Sequence, residues 1–186
     1  MLSPSTYTTL FLDRDGVINR RLPGRYVRSW SQFEFLPGVL EALCQLRPLF
    51  QRMVVVTNQL GVHKGLITAE DVRDVHRQMS AAIEQAGAVI DGIYFCPDRS
   101  DCRKPASGMA LSAQREFPEV DFRHSIMIGD SVSDMQFGQA LGMYTVLIPS
   151  KEEEKDAYAA LQVDERVDGL AQFAHQWLAK SKRSIL

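Results

Sequence analysis

Five short apolar runs punctuate the chain, at Thr8 to Leu12, Met53 to Val56, Ile90 to Phe95, Ser125 to Ile128 and Met143 to Ile148. Each is rich in β-branched or aromatic residues and of strand length. Their apolar positions are continuous rather than alternating, which predicts strands buried on both faces. Between the runs, apolar residues recur at helical spacing. Pro37-Gly38 opens one such segment, carried by Val39, Leu40, Leu43, Leu46, Leu49 and Phe50; a near capping box, Thr68-Ala-Glu-Asp71, opens another, carried by Val72, Val75, Met79, Ala82, Ile83 and Ala86. Further helices are predicted from about Met109 to Phe117, stopped by Pro118, and from about Ser133 to Leu141, stopped by Gly142. A last helix should run to about Lys182 behind Asp168 as its N-cap, with the stripe Leu170, Phe173, Ala174, Trp177 and Leu178 facing the sheet. Strand and helix alternate throughout, the pattern of an α/β fold with a doubly wound parallel sheet, read here as one domain over residues 1–186. In such sheets, ligands bind beyond the carboxyl ends of the strands.

Composition narrows the function classes. With 45% hydrophobic residues, 186 residues suffice for a substantial core. Twenty-one basic residues against 23 acidic ones give a net charge of -2, which offers no electrostatic footprint for nucleic acid or an anionic membrane. No apolar run approaches the roughly 20 residues of a membrane span, and residues 1–9 carry no export signal. Three cysteines, an odd number, argue against a disulfide scaffold and for a reducing cytoplasm. We expect a cytoplasmic monomer without nucleic-acid or membrane partners.

The polar residues that follow the runs form a coherent set. The first run ends in Asp13-Arg-Asp15-Gly16, the second in Thr57-Asn58-Gln59 and the fourth in Gly129-Asp130-Ser131, with Asp134 one helical turn on; Cys102-Arg103-Lys104-Pro105 follows the third. Asp13 and Asp15, two apart on extended backbone, point to the same side. Carboxylates this close repel unless a cation joins them, and Asp130 adds a third hard oxygen donor, as Mg²⁺ prefers. The hydroxyl of Thr57 and the ammonium of Lys104 suit a phosphoryl group, whose charge spreads over its equatorial oxygens. Asp13 is then placed to attack phosphorus, and Asp15 to protonate the leaving alkoxide and later activate water. Alone, each element reads as a turn, a cap or surface charge; in order at successive strand ends, they read as a site.

This ordered set resembles the four signature motifs of the haloacid dehalogenase (HAD) phosphatase superfamily. More narrowly, Asp13-Arg-Asp-Gly-Val-Ile-Asn19, Tyr26-Val27, Phe33-Glu-Phe-Leu-Pro-Gly38, Thr57-Asn-Gln59 with Gly61 and Gly65, and Cys102-Arg-Lys-Pro105 resemble the D-glycero-D-manno-heptose 1,7-bisphosphate phosphatases and the related histidinol-phosphate phosphatases. The resemblance implies a Rossmann-like core without a large cap domain and a phosphomonoesterase acting on a small phosphorylated metabolite, most closely a heptose bisphosphate at its 7-phosphate. It further implies Asp13 as nucleophile and Asp15 as acid/base, with Thr57 and Lys104 holding the phosphoryl group. Mg²⁺ would sit on the side chains of Asp13 and Asp130 and the backbone carbonyl of Asp15, with Asp134 supporting the metal shell. Asn58, Arg103, Asn19 and Gln59 are the substrate-binding candidates. A phospho-acceptor switch of the receiver type is the alternative from another class, opposed by Asp15, which would shorten the life of a phosphoryl-aspartate.

Two departures from the family pattern stand out. Where relatives carry a structural zinc loop, this chain has Cys96-Pro97-Asp98-Arg-Ser100-Asp101-Cys102. Two thiols on so short a loop suit tetrahedral zinc poorly, so no structural Zn²⁺ is expected, Cys96 and Cys102 are read as packed or free thiols, and Cys44 as core. Ser131 stands where the heptose enzymes place a lysine, which removes one substrate cation. Lys151-Glu-Glu-Glu-Lys155 reads as a solvated helix start and Lys180 to Arg183 as a frayed tail. His76, His124 and His175 read as surface or partly buried polar residues; His63, beside Lys64 in the loop after Thr57, is the one histidine placed to touch substrate.

Overall fold

The five apolar runs all become strands of one parallel sheet in the computed structural model, which describes residues 6–183. In chain order the elements are β1 (Thr9–Leu12), α1 (Val39–Leu46), β2 (Arg52–Asn58), α2 (Ala69–Gln85), β3 (Gly92–Cys96), α3 (Gly108–Glu116), β4 (Ser125–Gly129), α4 (Val132–Ala140), β5 (Tyr144–Leu147), α5 (Lys155–Ala160), β6 (Glu165–Arg166) and α6 (Leu170–Arg183). The sheet order is β3-β2-β1-β4-β5-β6. Chain order reverses direction at β1, so a crevice opens between β1 and β4 at their carboxyl ends. Register brings those ends level: Leu12 pairs with both Val55 and Ile128, and Asn58 with Cys96.

Side chains of successive strand residues leave opposite faces of the sheet, and both faces are covered. Leu10, Leu12, Met53, Val55, Ile126 and Ile128 are fully buried in one cluster with apolar residues of α1, α2 and α6. Phe11, Val54, Val56 and Met127 pack the other way, against Met109 and Ala113 of α3 and Phe137 of α4. Thr68 caps α2 as the sequence predicts, its side chain accepting from the Asp71 N–H while the Asp71 carboxylate accepts from the Thr68 N–H.

Three expectations are corrected at the carboxyl-terminal end. Helix α6 starts at Leu170, where the Phe173 N–H donates to the Gly169 carbonyl, so Asp168 is not its N-cap; the Asp168 N–H is itself satisfied by the Gln172 side chain. The segment Lys180 to Arg183 is helical rather than frayed, and Lys180 pairs with Glu165 of the short edge strand β6. The acidic-basic run does lead into a helix, α5, through a 3₁₀ turn, Glu152–Glu154, but its first lysine turns inward rather than into solvent. Residues 1–5, within the segment read for an export signal, lie outside the described residues. Among those described, no helix is long and apolar enough to cross a membrane.

Candidate active site

The chain leaves β1 through Asp13, whose N–H still donates to Ile128 of β4 at 2.9 Å, so the nucleophile candidate stays at the sheet end. The backbone then folds back on Arg14, whose carbonyl accepts from the N–H groups of Ile18 and Asn19. Gly16 makes this possible on two counts. Its φ is +95°, and a Cβ there would lie 2.1 Å from Asp130 Oδ2.

Asp13, Asp130 and Asp134 bring carboxylate oxygens within 4.8 Å of one another, all buried. Lys104, also buried, donates to Asp13 Oδ1 at 2.8 Å and to the Val56 carbonyl at 2.7 Å, and pairs with Asp134 Oδ1 at 2.6 Å. Three partners satisfy the ammonium fully. Burial opposes the charge on Lys104, but Asp13 and Asp134 outweigh it and hold the lysine protonated. Burial pushes Asp13 up to about 7 against the pull of Lys104, and burial with the neighbouring Asp134 pushes Asp130 up to about 6. A cation among these acids would relieve both strains.

Asp15 has the opposite environment. Its two oxygens accept from Arg14 Nη2 at 2.9 and 2.8 Å, from Asn19 Nδ2 at 3.0 Å and from Gln59 Nε2 at 2.8 Å. Burial alone would raise this carboxyl, but the Arg14 charge and these hydrogen bonds hold it below the usual range. Asn19 and Gln59, taken from the sequence as substrate contacts, are buried behind Asp15 and do not line the cleft. The fold has already committed their amides: Asn19 to Asp15 and the Arg20 carbonyl, Gln59 to Asp15 and Thr57 Oγ1.

The cleft above these groups has a volume of about 380 Å³ and is lined by Asp13, Asp15, Thr57, Asn58, Arg103, Lys104 and Asp130 from the predicted set. Asn58 clips the Lys104 backbone at both ends, donating to its carbonyl at 3.1 Å and accepting from its N–H at 3.0 Å. Arg103 keeps a buried Nη1 with no partner, a donor available to an anion. Arg21, Arg25, Lys64 and Lys151 also line the cleft, whereas His63 does not. Lys151 was missed in sequence because it sits in a run that reads as solvated; in the fold its Nζ is 3.0 Å from Asp130 Oδ1. Ser131 caps α4, with Asp134 completing the capping box. The Ser131 hydroxyl holds Asp134, and Lys151 brings a cation to Asp130 from the loop after β5.

The cysteine reading is also corrected. Cys96 is packed in the core and Cys102 against it, but neither is a thiol; they form a disulfide, because the turn after β3 brings their Cα atoms within 5.4 Å. Asp98 lies beside the pair, giving three potential donors, but two of them are sulfurs bonded to each other, so the loop as folded offers zinc no pair of thiolates. The disulfide also withdraws the cysteine-count argument for a reducing compartment.

Comparison with known proteins follows the same lines. The family described as HAD-hyrolase-like matches residues 101–173. The D-glycero-alpha-D-manno-heptose-1,7-bisphosphate 7-phosphatase of Mycobacterium bovis is 48% identical over 131 residues, which cover 68% of this chain and 69% of that protein. The chain belongs to the HAD-like heptose bisphosphate phosphatase family. A beta-anomer enzyme of the same family, from Photorhabdus laumondii, is 39% identical over 138 residues, covering 68% of this chain and 72% of that protein. The crystal structure of D,D-heptose 1.7-bisphosphate phosphatase from B. bronchiseptica, complexed with magnesium and phosphate, superposes with a TM-score of 0.84 at 30% identity, covering 93% of this chain and 99% of that one. Family membership sets aside the phospho-acceptor switch.

The residues of this chain fit a hard divalent cation. Asp13 and Asp130 converge from adjacent strands, their carboxylate oxygens lie within 4.8 Å of each other and of Asp134, and Gly16 leaves open the space beside Asp130. Asp134, tied to Ser131 and Lys104, supports this pair from behind.

Proposed function

We propose that this chain is a Mg²⁺-dependent phosphomonoesterase that removes the 7-phosphate of D-glycero-D-manno-heptose 1,7-bisphosphate through a phosphoryl-Asp13 intermediate. The observation that carries the reading is the contrast between two aspartates on one turn: Asp13 faces Lys104 and the acid cluster, while Asp15 is gripped by amide and guanidinium donors. Different environments suit them to different roles. Asp13 attacks phosphorus, forming the Asp13 oxygen–phosphorus bond as the bond to the sugar oxygen breaks. Asp15 delivers a proton to that leaving oxygen. Asp15 takes up that proton from solvent as substrate binds, because the dianionic phosphate arriving beside it repels its charge and raises its proton affinity. Asp15, again a carboxylate, then takes a proton from water, whose oxygen displaces Asp13 and releases phosphate.

Lys104 and Thr57 hold the phosphoryl oxygens, and Asn58 sets the place of Lys104 by clipping its backbone. Arg103, with its unpartnered Nη1, contacts the substrate. Mg²⁺, when held by the side chains of Asp13 and Asp130 and the carbonyl of Asp15, supplies charge neutralisation between nucleophile and phosphoryl group.

The test is phosphate release with Mg²⁺ from both heptose bisphosphate anomers, histidinol phosphate and simple sugar phosphates. One heptose bisphosphate anomer should lead the panel by at least about tenfold in kcat/KM, and Asp13→Asn should lower its turnover by about 10³-fold or more. No release from either anomer, or full activity in Asp13→Asn, overturns the reading.

A further inference from the structure

Arg14 lies between the two aspartates in sequence yet is fully buried, with an exposure of 0%. Guanidinium groups carry five N–H donors and stay charged, so a buried one must be surrounded by acceptors. Arg14 has few. Nη2 serves Asp15, Nε has no partner, and Nη1 lies 3.0 Å from His76 Nε2. His76 comes from α2, is itself only 6% exposed, and its ring stands edge-on to Phe95 of β3 at 5.7 Å.

The tautomer follows from the partner. Since Arg14 can only donate, His76 Nε2 must present its lone pair, with the ring proton on Nδ1. Burial, together with the Arg14 charge, holds the imidazole neutral by pulling its pKa down to about 3. His76 therefore accepts from Arg14 across the whole working pH range, anchoring one end of the fork while the other end grips Asp15. None of the phosphoryl-transfer steps uses His76, and it does not line the cleft above Asp13.

We propose that His76 is a positioning residue for catalysis: through Arg14 it holds the Asp15 carboxylate in the rotamer from which it exchanges a proton with the sugar oxygen. This rests on Asp15 as acid/base, read from the same site. Remove the acceptor and a second buried N–H of Arg14 is orphaned; the guanidinium turns to find another partner, and Asp15 turns with it. Displacement of a catalytic group by about 1 Å is enough to cost about 10²-fold in rate.

Leaving groups provide a readout that loss of packing would not move. An alkyl phosphate needs a proton on its departing oxygen, whereas p-nitrophenolate leaves without one, and kcat/KM reports only steps up to that departure. His76→Phe keeps a ring against Phe95 but removes the acceptor. It should lower kcat/KM for heptose 1,7-bisphosphate by about 30-fold or more, through kcat with KM within about twofold, and lower kcat/KM for p-nitrophenyl phosphate by less than about threefold. His76→Gln, which can offer a carbonyl near the Nε2 position, should restore the alkyl substrate to within about threefold of the parent. Rates are taken per folded molecule, from circular dichroism of each variant. Asp15→Asn serves as the reference for the same alkyl-selective signature. If Asp15→Asn shows it and His76→Phe does not, because both substrates fall together or neither falls, the positioning role is overturned while the Asp15 reading stands. If Asp15→Asn lacks it, both are overturned. Failure of His76→Gln to restore an alkyl-selective loss also overturns the role assigned to the acceptor.

Discussion

Asp13, Asp15, Thr57, Lys104 and Asp130 are each a common residue type on an ordinary turn, and their chemistry comes from burial and neighbours. His76 shows this in a form that stability can measure. Its folded pKa, about 3, lies below the unfolded value of about 6.5, so the unfolded chain binds the extra proton between them. Stability from this group is complete above pH 6.5 and is lost as pH falls toward 3. The cost at pH 5 should be about 2 kcal/mol, read as the additional loss of parent relative to His76→Gln in urea melts at pH 7.5 and 5. Gly16→Ala is the severe residue-scale change. It places a methyl group where Asp130 Oδ2 stands and demands a positive φ of alanine. Activity should fall by at least about 10²-fold, with phosphate release as the assay. That Asp13, Thr57, Lys104 and Asp130 come together was legible in sequence; that Asn19 and Gln59 would bond Asp15 was not, because amides serve substrates and carboxylates equally well.

Helix caps separate stability from chemistry at the scale of elements. Thr68 and Ser131 make the same capping box, at the starts of α2 and α4. Either hydroxyl, replaced by alanine, should cost about 1 kcal/mol in chemical denaturation. Only Ser131→Ala should also reduce turnover, because its hydroxyl donates to Asp134 at 2.6 Å and Asp134 pairs with Lys104. Equal activity losses in the two variants would contradict that link. The strands and main helices were readable to within a few residues, since their apolar periods report burial directly. The two-residue strand β6 was not, because it is too short to show a period.

Across the whole molecule, a parallel sheet gathers strand ends that are distant in sequence, and three buried acids are left facing one another at the switch point. Their mutual repulsion should make the fold responsive to divalent cation. Mg²⁺ at about one hundred times its dissociation constant should stabilise the chain by about 2.7 kcal/mol. Thermal melts with Mg²⁺ and with chelator should show the shift, and Asp130→Asn should abolish most of it.

What the sequence determined by itself is the order of elements and the placing of Asp13, Thr57 and Asp130 at strand ends, because local apolar periods define strands and parallel register brings their carboxyl ends level. Tertiary structure alone decided which side chains meet behind that line. Arg14 and His76 are 62 positions apart, and Lys151 reaches Asp130 across 21. Such contacts follow from the direction of a side chain after packing, and no periodicity carries that information. The Cys96–Cys102 disulfide belongs with them, since two cysteines six apart meet only when the intervening turn closes.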